Sequence, residues 1–509
     1  MKLDRTSTLY ATMLLTVTGL ISQLLGFFYR IVLSRMIGAE VMGLYQLIMP
    51  VYFLLLSMTS SGLTTAVSTL SAEHCALGRL SAVRRALRRC LGVFFSMAVP
   101  IAAVVILASD PISVYLLGDA RTRLGLILLG PCLLLTGVEN LHKHTMYGAG
   151  VVRPPALTDL CEQVIRTCAV LGLLALFLPQ NAERTVALIV VGMVTCEIFS
   201  SLTMVFLFRR FSRGSRQEGG SLPVTGRRIA SIAVPVGLTA VLGNLMGSAT
   251  SILIPQRLVA GGMEVSEAMS SFGVLCGMTI PLLSMPTALI SAMCLIMVPR
   301  MAQSAALGDR ASIHRRIDKA LLATSVLIMP ATALLVVVGP DLGALLYGDD
   351  RVGQFMLPLA IAQLLCSYQG VLGSALNGVS RQKQAARNAI LCSAVQLAFT
   401  WLTVGLPGVG LRGYVAGFLV SSVLGLGLNL MSTVKATGLK LRLFHWLVSP
   451  GLAALLTGLC INLLYRWLTD HGASLPFSIG FCVLFALVEY LAALQAQGVR
   501  VRELLRVGR

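Results

Sequence analysis

Charge is scarce in this sequence: only 12% of its 509 residues are charged, against roughly a quarter in a soluble domain. Most of the chain therefore has no water to face, and a soluble fold of this length is excluded. Segments of about ten residues that alternate polar with apolar, which a membrane barrel needs, are missing. The apolar runs are longer and apolar on every side. Aromatic platforms among the basic segments are missing too, so the net charge of +19 does not mark a nucleic-acid partner. None of the 12 cysteines forms a CxxC pair and most lie inside apolar runs, which leaves neither a zinc site nor a disulfide framework. No small-residue cleavage site follows the basic start at residues 1–5. Residues 9–28 are long enough to span a bilayer and run directly into residues 29–35, so they read as a retained first helix rather than a signal peptide.

What is present is apolar sequence, 56% of the chain. Each spanning helix needs about 20 such residues, and only helices or closed barrels satisfy every backbone group in lipid. The pattern predicts an all-α polytopic membrane protein of about 14 transmembrane helices. The first six are 9–29, 43–70, 90–109, 124–145, 156–178 and 185–208. The next six are 229–254, 269–298, 320–339, 353–376, 388–404 and 413–434, and the last two are 446–465 and 477–494. Roughly three-quarters of the Lys and Arg fall in segments on one side, which places both termini in the cytoplasm of a bacterial inner-membrane protein. The densest basic loops, 79–89, 209–228 and 300–319, are expected against anionic membrane lipids.

A repeat runs through the chain at a constant offset of 230 residues. Leu117-Gly118-Asp119-Ala120-Arg121 answers Tyr347-Gly348-Asp349-Asp350-Arg351, Gly78 answers Gly308, Arg85 answers Arg315, Arg89 answers Lys319, and Tyr147-Gly148 answers Asn377-Gly378. Each match falls between equivalent helices. The expected organisation is an N-terminal six-helix lobe (1–225), a parallel C-terminal six-helix lobe (226–440), and a terminal helix pair with a basic cytoplasmic tail (441–509). Parallel repeats enclosing a site near the midplane are a transporter architecture, worked by alternating access.

The segments Gly26-Phe27-Phe28-Tyr29-Arg30, Leu33-Ser34-Arg35-Met36-Ile37-Gly38-Ala39-Glu40 and Met42-Gly43-Leu44-Tyr45-Gln46-Leu47 are followed by Pro50, Ser71-Ala72-Glu73 and Glu162-Gln163-Val164-Ile165-Arg166. Together they resemble the stage V sporulation protein B family of oligosaccharide flippases, within the multidrug/oligosaccharidyl-lipid/polysaccharide exporter superfamily. The resemblance spans essentially the whole chain and is most specific in its first 75 residues. It implies two six-helix lobes plus a terminal helix pair, and export of lipid-linked saccharides for cell-wall, spore-cortex or polysaccharide synthesis. The related lipid II flippases share Leu25-Gly26-Phe27 and the Arg35 to Ala39 element. They also carry an arginine pair in the second helix, where residues 54–61 here hold no charge.

Moving a polyprenyl-pyrophosphate saccharide requires cations for the pyrophosphate, polar groups for the sugars and an apolar groove for the tail. Arg30, Arg35 and Arg257 are the candidates for pyrophosphate, because a guanidinium fork binds oxygens bidentately; interfacial snorkelling is the competing reading. Gln46, Asn244, Gln363 and Gln369 are candidates for sugar hydroxyls, or for interhelical hydrogen bonds. Glu139, Lys143, Asp159, Glu162 and Arg166 form the densest intramembrane charge group. They read as a cavity lining, as a site coupling H⁺ or Na⁺, or as a neutralised structural network. Glu197 and Glu489 read as isolated intramembrane acids, and residues 451–464 as a tail groove.

A cation-coupled drug antiporter of the same superfamily is the second transporter reading, although residues 9–28 contain no Asp or Glu. A glycan polymerase or ligase would need catalytic groups on sizeable outer loops, which are lacking. The expectation is therefore a non-enzymatic carrier without a metal or organic cofactor, driven by H⁺, Na⁺ or the membrane potential. Nothing in the sequence specifies an oligomer.

Overall fold

The computed structural model describes residues 8–213, 226–440 and 442–497. The basic start, the middle of the 209–228 loop and the basic tail, with both termini, lie outside the described residues. Among the described residues the chain is helical and contains no strand. Thirteen segments are long and apolar enough to cross a membrane, which makes this the all-helical polytopic membrane protein that the charge deficit implies.

Helix α1 covers Thr8–Leu56, followed by a π-helical segment at Ser57–Ser61 and α2, Gly62–Ala76. Then come α3 (Leu80–Leu107), α4 (Arg123–Gly148), α5 (Arg153–Phe177), α6 (Ala182–Arg213), α7 (Gly226–Ala260) and α8 (Val265–Phe272). After a π segment at Gly273–Thr279 follow α9 (Thr287–Ala306), α10 (Arg310–Tyr347), α11 (Met356–Gly378), α12 (Gln382–Thr403) and α13 (Leu411–Thr437). The chain closes with α14 (Ser449–Asp470) and α15 (Leu475–Ala496).

The expected break over residues 30–42 falls at Gly38, whose non-helical backbone (φ 74°, ψ 175°) divides α1 into two helices across a kink; glycine takes that positive φ without a Cβ clash. One element differs from the hydropathy reading. The expected helix 269–298 is divided by the π segment and a turn before α9, where Pro281 and Pro286 remove backbone donors.

The chain forms two compact units, Met1–Gly273 and Val274–Arg509. In the first, Phe94, Leu141 and Met204, from α3, α4 and α6, are buried together with Leu70 of α2. In the second, α10 is covered by the terminal pair: Val338 packs with Ile461 and Cys482, and Trp446 lies buried against Tyr368.

The 230-residue offset reappears in local geometry. Gly118 and Gly348 both adopt the left-handed conformation, at φ 77° and 74°, where a Cβ would be strained. The aspartates that follow them cap the next turn alike: Asp119 Oδ1 accepts from the Arg121 N–H, and Asp349 Oδ1 from the Arg351 N–H, each at 3.0 Å. Both arginine side chains fold back at 2.7 Å onto the other carboxylate oxygen. Within the first unit, a Cβ on Gly43 would lie 2.0 Å from the Met269 carbonyl oxygen, and one on Gly273 would lie 2.0 Å from that of Ala39. Gly43 and Gly273, like Ala39 and Met269, are 230 residues apart, so the close approach is reciprocal across the repeat. Small residues spaced four apart permit such backbone contact between membrane helices.

Candidate functional site

Helices α4, α5 and α6 carry the charged centre. Asp159, Glu162 and Arg166 stand three and four residues apart and therefore share a face of α5; Glu139 and Lys143 stand four apart on α4. Packing joins the two faces. Lys143 Nζ lies 2.6 Å from Glu139 Oε1 and 2.7 Å from Asp159 Oδ1, and the Tyr147 hydroxyl donates to Asp159 Oδ2 at 3.4 Å. Arg166 pairs with Glu162 and lies 3.5 Å from Glu197 Oε1 of α6. The Ser200 hydroxyl donates to Glu162 Oε2 at 3.0 Å.

Glu197 is thus not isolated, as its position among apolar residues suggests, but part of the same network. Its spacing of three from Ser200 on α6 is the sequence signal for this face. Its Oε2 atom is buried with no hydrogen-bond partner. Glu489, the other apparently isolated acid, accepts a hydrogen bond from the Thr457 hydroxyl. Four carboxylates therefore meet two cations inside spanning helices, where each unneutralised charge costs several kcal/mol. Fully ionised, the centre holds two more negative than positive charges. The side chains of Glu139 and Glu197 are 2% and 4% exposed, those of Lys143 and Asp159 15% and 35%. The centre is sealed at one end and open at the other, where Lys143, Asp159 and Glu162 line a cavity of about 260 Å³ with Thr18, Ser22 and Gln163.

A second cavity of about 260 Å³ lies on another side of α4. It is lined by Phe53, Leu56, Ser57, Ser60, Ser61, Thr64, Asn140, His144 and Asn244. Of these, the sequence reading singled out only Asn244; the hydroxyl run Ser57 to Ser61 was the available signal for the rest.

The other expected site residues occupy varied settings. Arg30 is half-buried on α1, Arg35 is exposed, and Arg257 is half-buried in the last turn of α7. Gln46 is half-buried, with its Nε2 enclosed and lacking an acceptor. In the second unit, the Gln369 side chain packs against Gly425, and its backbone carbonyl accepts from Asn429 at 3.1 Å; the Gln363 carbonyl accepts from Ser367.

Spanning helices that enclose a charged, partly open centre define an integral membrane protein of the transporter type. The fold matches the solved lipid II flippase MurJ in its inward closed conformation at a TM-score of 0.73, with 13% identity, over 94% of this chain and 98% of that one. An inward-facing multidrug resistance MATE family transporter of the MOP superfamily matches at 0.63, with 15% identity, over 84% and 99%. The chain belongs to the polysaccharide biosynthesis protein family, whose sequence profile matches residues 9–305. Among its relatives, stage V sporulation protein B of Bacillus subtilis is 23% identical over 87% of this chain and 86% of its own length. The lipid II flippase MurJ of the same organism is 23% identical over 76% of each.

Proposed function

We propose that this protein is a flippase that carries a saccharide linked to polyprenyl pyrophosphate across the bacterial cytoplasmic membrane by alternating access. The halves 1–225 and 226–440 are its moving lobes, and both termini are cytoplasmic. The observation that carries this reading is the buried charge centre on α4, α5 and α6, open to a polar cavity inside otherwise apolar helices. Its relatives support it: one is a sporulation protein, another a lipid II flippase. Arg30, Arg35 and Arg257 supply cations for the pyrophosphate, and Gln46, Asn244 and Gln369 supply polar contacts to the head. Along α14, Leu452, Leu455, Leu456, Leu459 and Leu463 are all exposed; this stripe is the surface offered to the polyprenyl tail and to membrane lipids.

The two-charge excess of carboxylates gives the centre a second task, uptake of H⁺ or Na⁺ as countercharge. An inside-negative potential assists export of the anionic head independently, by about 2.3 kcal/mol per charge per 100 mV. The test is transport of a fluorescent lipid-linked saccharide in proteoliposomes, with potential, pH gradient and Na⁺ gradient imposed separately. Flipping that depends on at least one of the three supports the reading. Absence of flipping under all three, with efflux of small cationic drugs instead, would favour the antiporter that the MATE likeness suggests.

A further inference from the structure

Each cation of the charge centre serves two carboxylates, and the two sets are unequal. Lys143 lies close to both its partners, at 2.6 and 2.7 Å. Arg166 pairs closely with Glu162, while the same Nη2 stands 3.5 Å from Glu197 Oε1. Glu197 is thus the least compensated of the four acids, although its side chain is only 4% exposed. Its Oε2 atom is buried without a hydrogen-bond partner, and its carboxylate lies within 4.8 Å of a Glu162 oxygen and the Cys196 sulfur. The other titratable groups facing it are Glu139 and Cys132 of α4 and Tyr52 of α1. None of these supplies a second cation.

The six-helix repeat does not itself require this arrangement. At the 230-residue offset, Lys143, Glu162, Arg166 and Glu197 are answered by Gly373, Cys392, Gln396 and Gly427. There Gln396 Oε1 accepts from the Ser421 hydroxyl at 2.9 Å, so the second repeat fills the same positions with neutral groups. A charge set confined to one repeat, with a sealed carboxylate oxygen left over, marks a ligand of positive charge rather than a demand of the fold.

We infer that this ligand is a single proton held on Glu197 Oε2, and that Arg166 transmits its presence to the cavity. A metal cation here would sit against the Arg166 guanidinium and the Cys196 sulfur, whereas hard cations gather shells of oxygen; a proton needs one oxygen. Hydronium arriving through the open end gives its proton to Oε2, forming one O–H bond and leaving water. With Glu197 neutral, Arg166 belongs to Glu162, the arrangement seen here. When the proton leaves, Glu197 becomes a buried anion and draws Arg166 toward it. Glu162, which lines the cavity, then presents an uncompensated negative charge there. The inference rests on the carrier reading and narrows its countercharge from H⁺ or Na⁺ to H⁺ at a named atom.

Infrared difference spectroscopy of the full chain in nanodiscs, with pH stepped at constant salt, tests it. The wild-type protein is expected to show a protonated-carboxyl carbonyl band that disappears as pH rises, and Glu197→Gln is expected to lack it. Glu197→Asp keeps the acid on a shorter stem and serves if Glu197→Gln fails to fold; it should displace the band. Glu162→Asp should leave the band in place, and so should Na⁺ added at constant pH. A band that is absent from wild type, retained in full by Glu197→Gln, displaced by Glu162→Asp or removed by Na⁺ overturns the proton on Glu197. The carrier reading is judged separately, in proteoliposomes. It falls if the wild-type protein flips no lipid-linked saccharide under any gradient, whatever the band does, and stands if flipping follows potential or Na⁺ while the band is absent.

Discussion

Lys143 offers the sharpest test of the charge centre, because one ammonium neutralises two carboxylates on different helices. Lys143→Met keeps the length of the stem and removes only the charge. Glu139, at 2% side-chain exposure, then loses an ion pair of 2.6 Å, and Asp159 loses one of 2.7 Å. Removing one partner of a buried pair costs about 3–5 kcal/mol, since the remaining charge stays desolvated. Asp159, at 35% exposure, adds little because solvent screens it. At roughly 2 °C per kcal/mol for a unit of this size, the apparent melting midpoint should fall by about 5–10 °C. Scans at one fixed rate in one detergent keep the comparison valid even if unfolding is irreversible. Glu139→Gln in the Lys143→Met background should recover about half the loss, because the stranded carboxylate becomes a neutral amide. A Lys143→Met protein melting within a degree of wild type, or a double variant no better than the single one, would refute the claim that these pairs are buried and mutually dependent.

Further predictions concern other parts of the molecule. Replacing Arg30, Arg35 and Arg257 together with Gln should abolish flipping of a lipid-linked saccharide in proteoliposomes while leaving insertion intact; near-normal flipping would assign them to the interface. Gly43→Val should lower the melting midpoint by several degrees, since its Cβ would meet the Met269 carbonyl 2.0 Å away and overpacking costs about 1–3 kcal/mol or more. The Arg351 side chain holds the Asp349 carboxyl below its ordinary range. Its contribution to stability is therefore complete above the unfolded value of about 3.9 and disappears as pH falls through the lower folded value. Asp349→Asn should accordingly flatten stability against pH below about pH 4 and leave no difference in slope near pH 7, as equilibrium unfolding at stepped pH would reveal.

The apolar runs made the helices legible, and periodicity made one face of the site legible, because Asp159, Glu162 and Arg166 lie on a single helix. What escaped was partnership across helices. Glu197 stands in an apolar stretch, and only packing brings it 3.5 Å from Arg166. The neutral cavity escaped for a related reason. Hydroxyls on an apolar helix are ambiguous in sequence, since each can satisfy itself on the carbonyl one turn back, as Ser57, Ser60 and Thr64 do. Their shared direction becomes visible only once Asn140 and Asn244 arrive from α4 and α7. The 30–42 break was legible because charged residues and Gly38 interrupt the apolar run there, and it is at Gly38 that the backbone leaves the helix (φ 74°, ψ 175°).

The reciprocal glycine crossing has a mechanical corollary. Where main chain touches main chain, no rotamer is available to loosen the junction by degrees. Neither helix can turn about its own long axis without driving a neighbouring side chain into a carbonyl. The pair can still part sideways or slide lengthwise, so the seam acts less like a zipper of independent teeth than like two machined surfaces, either seated or separated.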